Sequence, residues 1–220
     1  MLVKNRLILA LDLPDLESAK KIVGEVNDLV DGIKIGYPLL LNHGSRVTGE
    51  LDVKDVIWDL KLADIPHING MIAREAFDSG ASGIIAQGFV GRDSLASIAE
   101  EAADHGGDLY VVVEMSHLGS ADFLNPRSLE LLKLAQEVGA TGIVAPGNRP
   151  ERIELYRSLA KDIVILCPGI GAQGGDAASA IRAGADYVIV GRAITKSKEP
   201  RKAAEEILRG TLDVRRQEGK

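Results

Sequence analysis

The 220 residues carry 26 lysines and arginines against 32 aspartates and glutamates, a formal net charge of -6, which excludes a general nucleic-acid footprint because that calls for a basic surface. One cysteine, Cys167, excludes an intrachain disulfide framework and a thiolate metal cluster, and it fits a reducing compartment as a small core residue. A hydrophobic content of 45% suffices for one core, and residues 1–220 read as a single domain.

The chain opens with Met1-Leu2-Val3-Lys4-Asn5-Arg6 and runs into only a few apolar residues before Asp12. That run is too short for the apolar region of a signal peptide, and no later run approaches a membrane span. A cytoplasmic protein with no membrane partner is expected. Short runs rich in Val and Ile predict strands at about residues 6–11, 32–36, 55–60, 82–87, 109–114, 141–145, 163–167 and 187–190.

Helical spacing fills the intervals. From about Asp15 to Leu29, the residues Leu16, Ala19, Ile22, Val23, Val26 and Leu29 share one stripe, with acids in the first turn. Pro66 suits the first turn of a helix that Gly80 stops, Arg127 to Val138 ends at Gly139, and Ala177 to Ala183 ends at Gly184. Strand and helix alternate throughout, which predicts an α/β fold with a parallel sheet covered by helices. Eight repeats fit closure into a (β/α)8 TIM barrel, with an open doubly wound sheet as the alternative.

In a barrel the chemistry sits at the carboxyl ends of the strands. Strand one ends at Asp12, strand two carries Lys34, and strand three carries Asp59 and Lys61, with Asp64 three residues on. Asp59 and Lys61 lie two apart and so share a face. The group has two readings: a salt-bridged strand end that fastens a turn, or a lysine held protonated by flanking carboxylates and able to protonate a carbanion. Strand five runs into Glu114-Met115-Ser116-His117, strand seven into a glycine-rich loop from Pro168 to Gly175, and strand eight into Gly191-Arg192. The last two ends fit a phosphate: glycines expose backbone N–H groups, and Arg192 opens a helix whose N-terminus favours an anion. Gln173 lies within a candidate lid over it.

Gly169, Gly171 and Gly174 match a dinucleotide-binding spacing, but the acidic partner at the required distance is missing. His43, His67, His105 and His117 have no metal-ligand spacing, so neither metal nor cofactor is expected.

Together these motifs resemble the orotidine 5'-phosphate decarboxylase family across nearly the whole chain. The likeness rests on Leu9-Ala10-Leu11-Asp12, Lys34-Ile35-Gly36, Asp59-x-Lys61-x-x-Asp64-Ile65-Pro66, Glu114-Met115-Ser116-His117, Pro168-Gly169-Ile170-Gly171-Ala172-Gln173-Gly174-Gly175 and Val190-Gly191-Arg192. The resemblance implies a barrel enzyme that converts orotidine 5'-phosphate to uridine 5'-monophosphate and CO2 without metal or cofactor. It implies that Lys61 donates the proton to C6 of the pyrimidine and that Asp59 lies beside the departing carboxylate. Lys34 and Asp12 would bind the ribose and complete an alternating array with Asp59, Lys61 and Asp64. Asp64 would reach the neighbouring subunit's site, making a homodimer the active unit. Ser116 would hold the base, Gln173 would close over base and phosphate, and Arg192 with the Gly191 backbone would bind the phosphate. Ile65, Ile68, Pro168, Gly169 and Gly174 complete the implied substrate-binding set. Family members commonly carry Thr where this chain has Ile68, and the missing hydroxyl costs roughly 0.5–1.5 kcal/mol of binding. Two rivals share parts of the pattern: barrels with the Asp-x-Lys-x-x-Asp element that stabilise an enediolate with Mg2+, and a non-catalytic phosphate-ligand binder.

Overall fold

The computed structural model describes residues 4–53 and 55–218; the N-terminal reading of Met1 to Val3 lies outside the described residues. Strand β1 (Leu7–Leu11) leads to α1 (Leu16–Val26), and β2 (Gly32–Gly36) to the short helices α2 (Tyr37–His43) and α3 (Val47–Glu50). Then come β3 (Val56–Leu62), α4 (Pro66–Asp78), β4 (Gly83–Gln87) and α5 (Arg92–His105). Next are β5 (Asp108–Val112), α6 (Ser120–Phe123), α7 (Ser128–Glu137), β6 (Gly142–Val144) and α8 (Pro150–Leu159). The chain finishes with β7 (Val164–Pro168), α9 (Ala177–Arg182), β8 (Tyr187–Val190), α10 (Arg192–Thr195) and α11 (Pro200–Glu218). Among the described residues, no helix is long and apolar enough to cross a membrane.

All eight strands pair in parallel and in sequence order, and the sheet closes where Leu7, Ile8 and Leu9 of β1 meet Val188, Ile189 and Val190 of β8. That last pairing excludes the open-sheet alternative. Closure gives every strand two apolar environments, which is why the runs read as continuous rather than alternating. One set of side chains, including Ile8, Ala10, Ile57, Ile85, Val112, Leu166 and Ile189, fills the barrel. The other, including Leu7, Leu9, Ile33, Ile35, Ile84, Val111, Cys167 and Val188, packs under the helices. Cys167 is fully buried, and burial pushes its thiol well above the usual range.

Local signals set the helix bounds. Asp15 caps α1 by accepting the Ser18 N–H at 2.8 Å, and Asp176 caps α9 through the Ser179 N–H at 2.7 Å. The expected helix to Leu29 is α-helical only to Val26, after which Asn27–Leu29 tightens into a 3-10 turn. Helices α2 and α3 are too short to carry a readable period, yet α3 is anchored by the buried indole N–H of Trp58, which donates to Thr48 Oγ1 at 2.9 Å. Inside the barrel, Tyr110 fits only because Gly83 and Gly142 flank it: a Cβ at either would stand within 2.9 Å of its ring.

Candidate active site

A cavity of about 240 Å3 opens at the carboxyl ends of the strands. It is lined by Asp12, Lys34, Asp59, Lys61, Ser116, Pro168, Gly169, Gln173, Gly191 and Arg192, so the structure brings these ten sequence-selected residues together. Asp64, Ile65, Ile68 and Gly174 do not line it. Asp64 and Ile65 are exposed beside the opening of α4, and Ile68 is half-buried on that helix.

The charged wall alternates in sign. Asp12 Oδ1 lies 3.1 Å from Lys34 Nζ, Lys34 Nζ 2.8 Å from Asp59 Oδ2, and Asp59 Oδ1 2.8 Å from Lys61 Nζ. Exposure differs sharply along this chain of contacts: the side chains of Lys34 and Asp59 are each 8% exposed, that of Lys61 35% and that of Asp12 58%. Burial would push Asp59 upward, but the ammoniums of Lys34 and Lys61 outweigh it and hold the carboxyl below its usual value of 3.8. Burial would likewise lower Lys34, and Asp59 with Asp12 outweighs it, raising Lys34 above 10.5.

These shifts predict how stability varies with pH. Asp59, being depressed, contributes stability that is present above its ordinary value of 3.8 and is lost as pH falls through its folded value. Lys34, being raised, contributes stability that is fully present below 10.5 and is lost as pH rises through its folded value. Thermal unfolding should therefore show a plateau contribution between those limits. In Asp59→Asn the acid limb should flatten relative to the parent; parallel acid limbs would show that the carboxylate is not held by the lysines.

The i,i+2 spacing anticipated a shared face for Asp59 and Lys61, and both do line the cavity, but the local geometry differs from a plain strand. The β3–β4 register passes from Trp58 opposite Ile84 to Leu62 opposite Ala86, so four steps on β3 match two on β4. Within this bulge Lys61 has φ +46°, a left-handed conformation that costs a non-glycine residue about 1–2 kcal/mol. Such strain persists only where the surroundings over-determine it. Here Asp59 holds the ammonium, and Tyr37 donates its hydroxyl to the Leu60 carbonyl within the bulge. Gly36 leaves room for the displaced strand, since a Cβ there would sit 3.3 Å from the Asp59 carbonyl oxygen.

Across the cavity, the loop after β7 folds into a compact turn. The Gly171 N–H donates to Gly175 O at 2.8 Å, the Gly174 N–H to Gly171 O at 2.8 Å, and the Gly175 N–H to Gly169 O at 3.1 Å. Gly169, Gly171 and Gly174 all have positive φ, which explains the glycine spacing without a dinucleotide. Gln173 reaches across the mouth, its Oε1 accepting the Ser116 hydroxyl at 2.6 Å. Helix α10 has only four residues, too short for the expected helix N-terminus to attract an anion by its dipole, which leaves the Arg192 guanidinium as the charge at this end of the cavity.

Two parts of the cavity were given no role from the sequence, although Ala10, Glu114 and Met115 stand in the strand-end motifs read there. Its apolar lining comes from Ala10, Ile85, Met115, Val144 and Ile189, ordinary barrel-filling types with no signal beyond strand periodicity. Glu114 also lines it; the carboxylate is 2% exposed and receives Arg149 at 2.8 Å, Arg152 at 2.7 Å and the Tyr156 hydroxyl. Burial and then Glu114 push the Tyr156 hydroxyl up to about 12. The spacing of Arg149 and Arg152 around Pro150, at the start of α8, was the available clue. Among the described residues, no group of three or more His, Cys, Asp or Glu side chains is arranged to hold a metal ion.

The fold and cavity define a (β/α)8 barrel enzyme with a charge-alternating site at the carboxyl rim. The model of the orotidine 5'-phosphate decarboxylase / HUMPS family matches residues 5–207, and the chain belongs to that family. An orotidine 5'-phosphate decarboxylase from Methanococcoides burtonii is 50% identical over 206 residues, 93% of this chain and 96% of that protein. The one from Pyrococcus furiosus is 45% identical over 91% of this chain and 95% of its own length. Among solved structures, the orotidine 5'-monophosphate decarboxylase of Methanocaldococcus jannaschii complexed with the inhibitor BMP superposes with a TM-score of 0.89 at 39% identity, covering 94% of this chain and 98% of that one.

Proposed function

We propose that this chain decarboxylates orotidine 5'-phosphate to uridine 5'-monophosphate and CO2, the closing step of pyrimidine nucleotide synthesis, with no metal or cofactor. The observation that carries this reading is the Asp12, Lys34, Asp59, Lys61 series in mutual contact on one cavity wall. The C6–carboxylate bond breaks with its electron pair left on C6, and CO2 departs. The Lys61 ammonium stabilises that charge in a partly dehydrated site and gives its proton to C6. Asp59, fixed between two lysines, lies beside the departing carboxylate. Asp12 and Lys34 bind the ribose, Ser116 the base, and Arg192 with the Gly191 backbone the phosphate. Gln173 closes over base and phosphate, with Pro168 and Gly169 shaping the same wall and Gly174 turning the loop that carries Gln173. Remote phosphate contacts supply binding energy for closure.

The reading includes a homodimer in which Asp64 completes the partner's site, alongside Ile65 and Ile68. Its support is the exposure of Asp64 and of apolar side chains that a monomer would leave wet: the adjacent Ile65 is 62% exposed, and Met71 on α4 is 55% exposed.

The test follows the absorbance of orotidine 5'-phosphate with purified protein in excess chelator. Turnover is expected to be undiminished. Activity that vanishes with chelator and returns with Mg2+ would move the chain to the enediolate-forming barrels, and binding of uridine 5'-monophosphate without turnover would leave a binder. Sedimentation equilibrium tests the dimer.

A further inference from the structure

We infer that Asn69 is a positioning residue that fixes the main chain of Asp64 so that its carboxylate projects away from the barrel; this rests on the reading of Asp64 as a contributor to the partner's site. Asn69 lies on the first turns of α4 and is fully buried. A buried amide is costly unless its hydrogen-bonding capacity is met, and here it is met mainly by the Asp64 peptide, with Ser94 as a second acceptor. The Asp64 N–H donates to Asn69 Oδ1 at 3.2 Å, and Asn69 Nδ2 donates to the Asp64 carbonyl at 2.8 Å. Ser94, 1% exposed on α5, joins the same carbonyl at 2.5 Å through its hydroxyl and accepts Asn69 Nδ2 at 3.2 Å.

Both polar groups of the Asp64 peptide are thus held from the protein side by two buried side chains on two helices. The side chain is left pointing out, where, among the described residues, its carboxylate accepts only the adjacent Ile65 N–H at 2.7 Å. Helices α4 and α5 are locked at this level, since Ser97 donates to the Pro66 carbonyl at 2.9 Å and a Cβ on Gly70 would stand 2.6 Å from Ser97 Oγ. Ile65, at the N-cap of α4, offers no side-chain cap, so Asn69 is also the group that ties down the helix start. A role confined to holding the helix and a role in aiming Asp64 differ in one measurable respect: the second acts only through Asp64.

The experiment is a double-variant cycle on kcat/KM in the full-length protein, with thermal unfolding measured alongside. Asn69→Ala should lower kcat/KM by roughly 10- to 100-fold, and the Asp64→Ala/Asn69→Ala double variant should be no slower than Asp64→Ala alone. Ser94→Ala removes a single hydroxyl and should show the same lack of additivity, which decides the matter if Asn69→Ala does not fold. Losses that multiply with that of Asp64→Ala, or a lowered Tm with unchanged kcat/KM, overturn the inference. Parent-level kcat/KM in Asp64→Ala alone overturns the underlying reading and, with it, any need for positioning.

Discussion

Lys61→Ala should lower kcat/KM by about four orders of magnitude or more while the protein stays folded. The size follows from two separate losses. A preorganised charge facing the developing anion contributes about 10²–10³-fold, and a positioned proton donor about 10²–10⁴-fold. The fold should survive because Lys61 is the more exposed of the two lysines and Asp59 retains Lys34 at 2.8 Å. Alanine also keeps the left-handed backbone under strain, so Lys61→Gly should be the more stable of the two, by roughly 0.5–1 kcal/mol, and equally inactive. Lys61→Arg should not restore turnover, because a guanidinium does not give up a proton at accessible pH. Steady-state kinetics with calorimetry would check all three, and near-parental turnover in any of them would remove Lys61 from the mechanism.

Asp59→Asn should damage both activity and stability, unlike Lys61→Ala. Asp59 is the shared acceptor between two ammoniums, and Lys34 is almost fully buried. Breaking a buried pair by neutralising one member leaves an uncompensated charge and costs about 3–5 kcal/mol. An asparagine oxygen can serve one lysine, but its amide hydrogens then face the other. Lys34 would be left with Asp12 at 3.1 Å, a partner that is itself more than half exposed. With Lys61 no longer held at the bulge, kcat/KM should fall by roughly 10²-fold or more. A variant with parental Tm and activity within tenfold would mean that the array is only a surface ion-pair network.

The electrostatic design also explains the strained backbone. An i,i+2 pair already shares a face in a regular strand, so what the bulge adds is the left-handed turn at Lys61, held by the Asp59 contact, before β3 rejoins β4 at Leu62. The energy stored there is offset by the Asp59 contact and by the hydrogen bond that Trp58, at the start of the bulge, donates to Thr48.

Much of this was legible in the residues. The Val/Ile runs located the strands within a residue or two, because a strand buried on both faces admits little else. The polar residues at their ends marked the rim because charge at the mouth of an apolar strand is expensive without a purpose. Glu114 was visible but uninterpretable, since its partners Arg149 and Arg152 arrive from a different connection. The Asn69 clamp had no signal either, because a buried asparagine looks like any polar residue on a helix until its neighbours are known.

The amino-acid order by itself determined the repeating strand-and-helix units, their caps, and which side chains cluster at the strand ends, since each depends on propensity and periodicity over a few residues. Only the tertiary structure decided that β1 pairs with β8, that β3 bulges to place Lys61 at positive φ, and that Asp64 faces outward. Those outcomes depend on hydrogen bonds and close contacts between segments far apart in the chain, which no local pattern encodes.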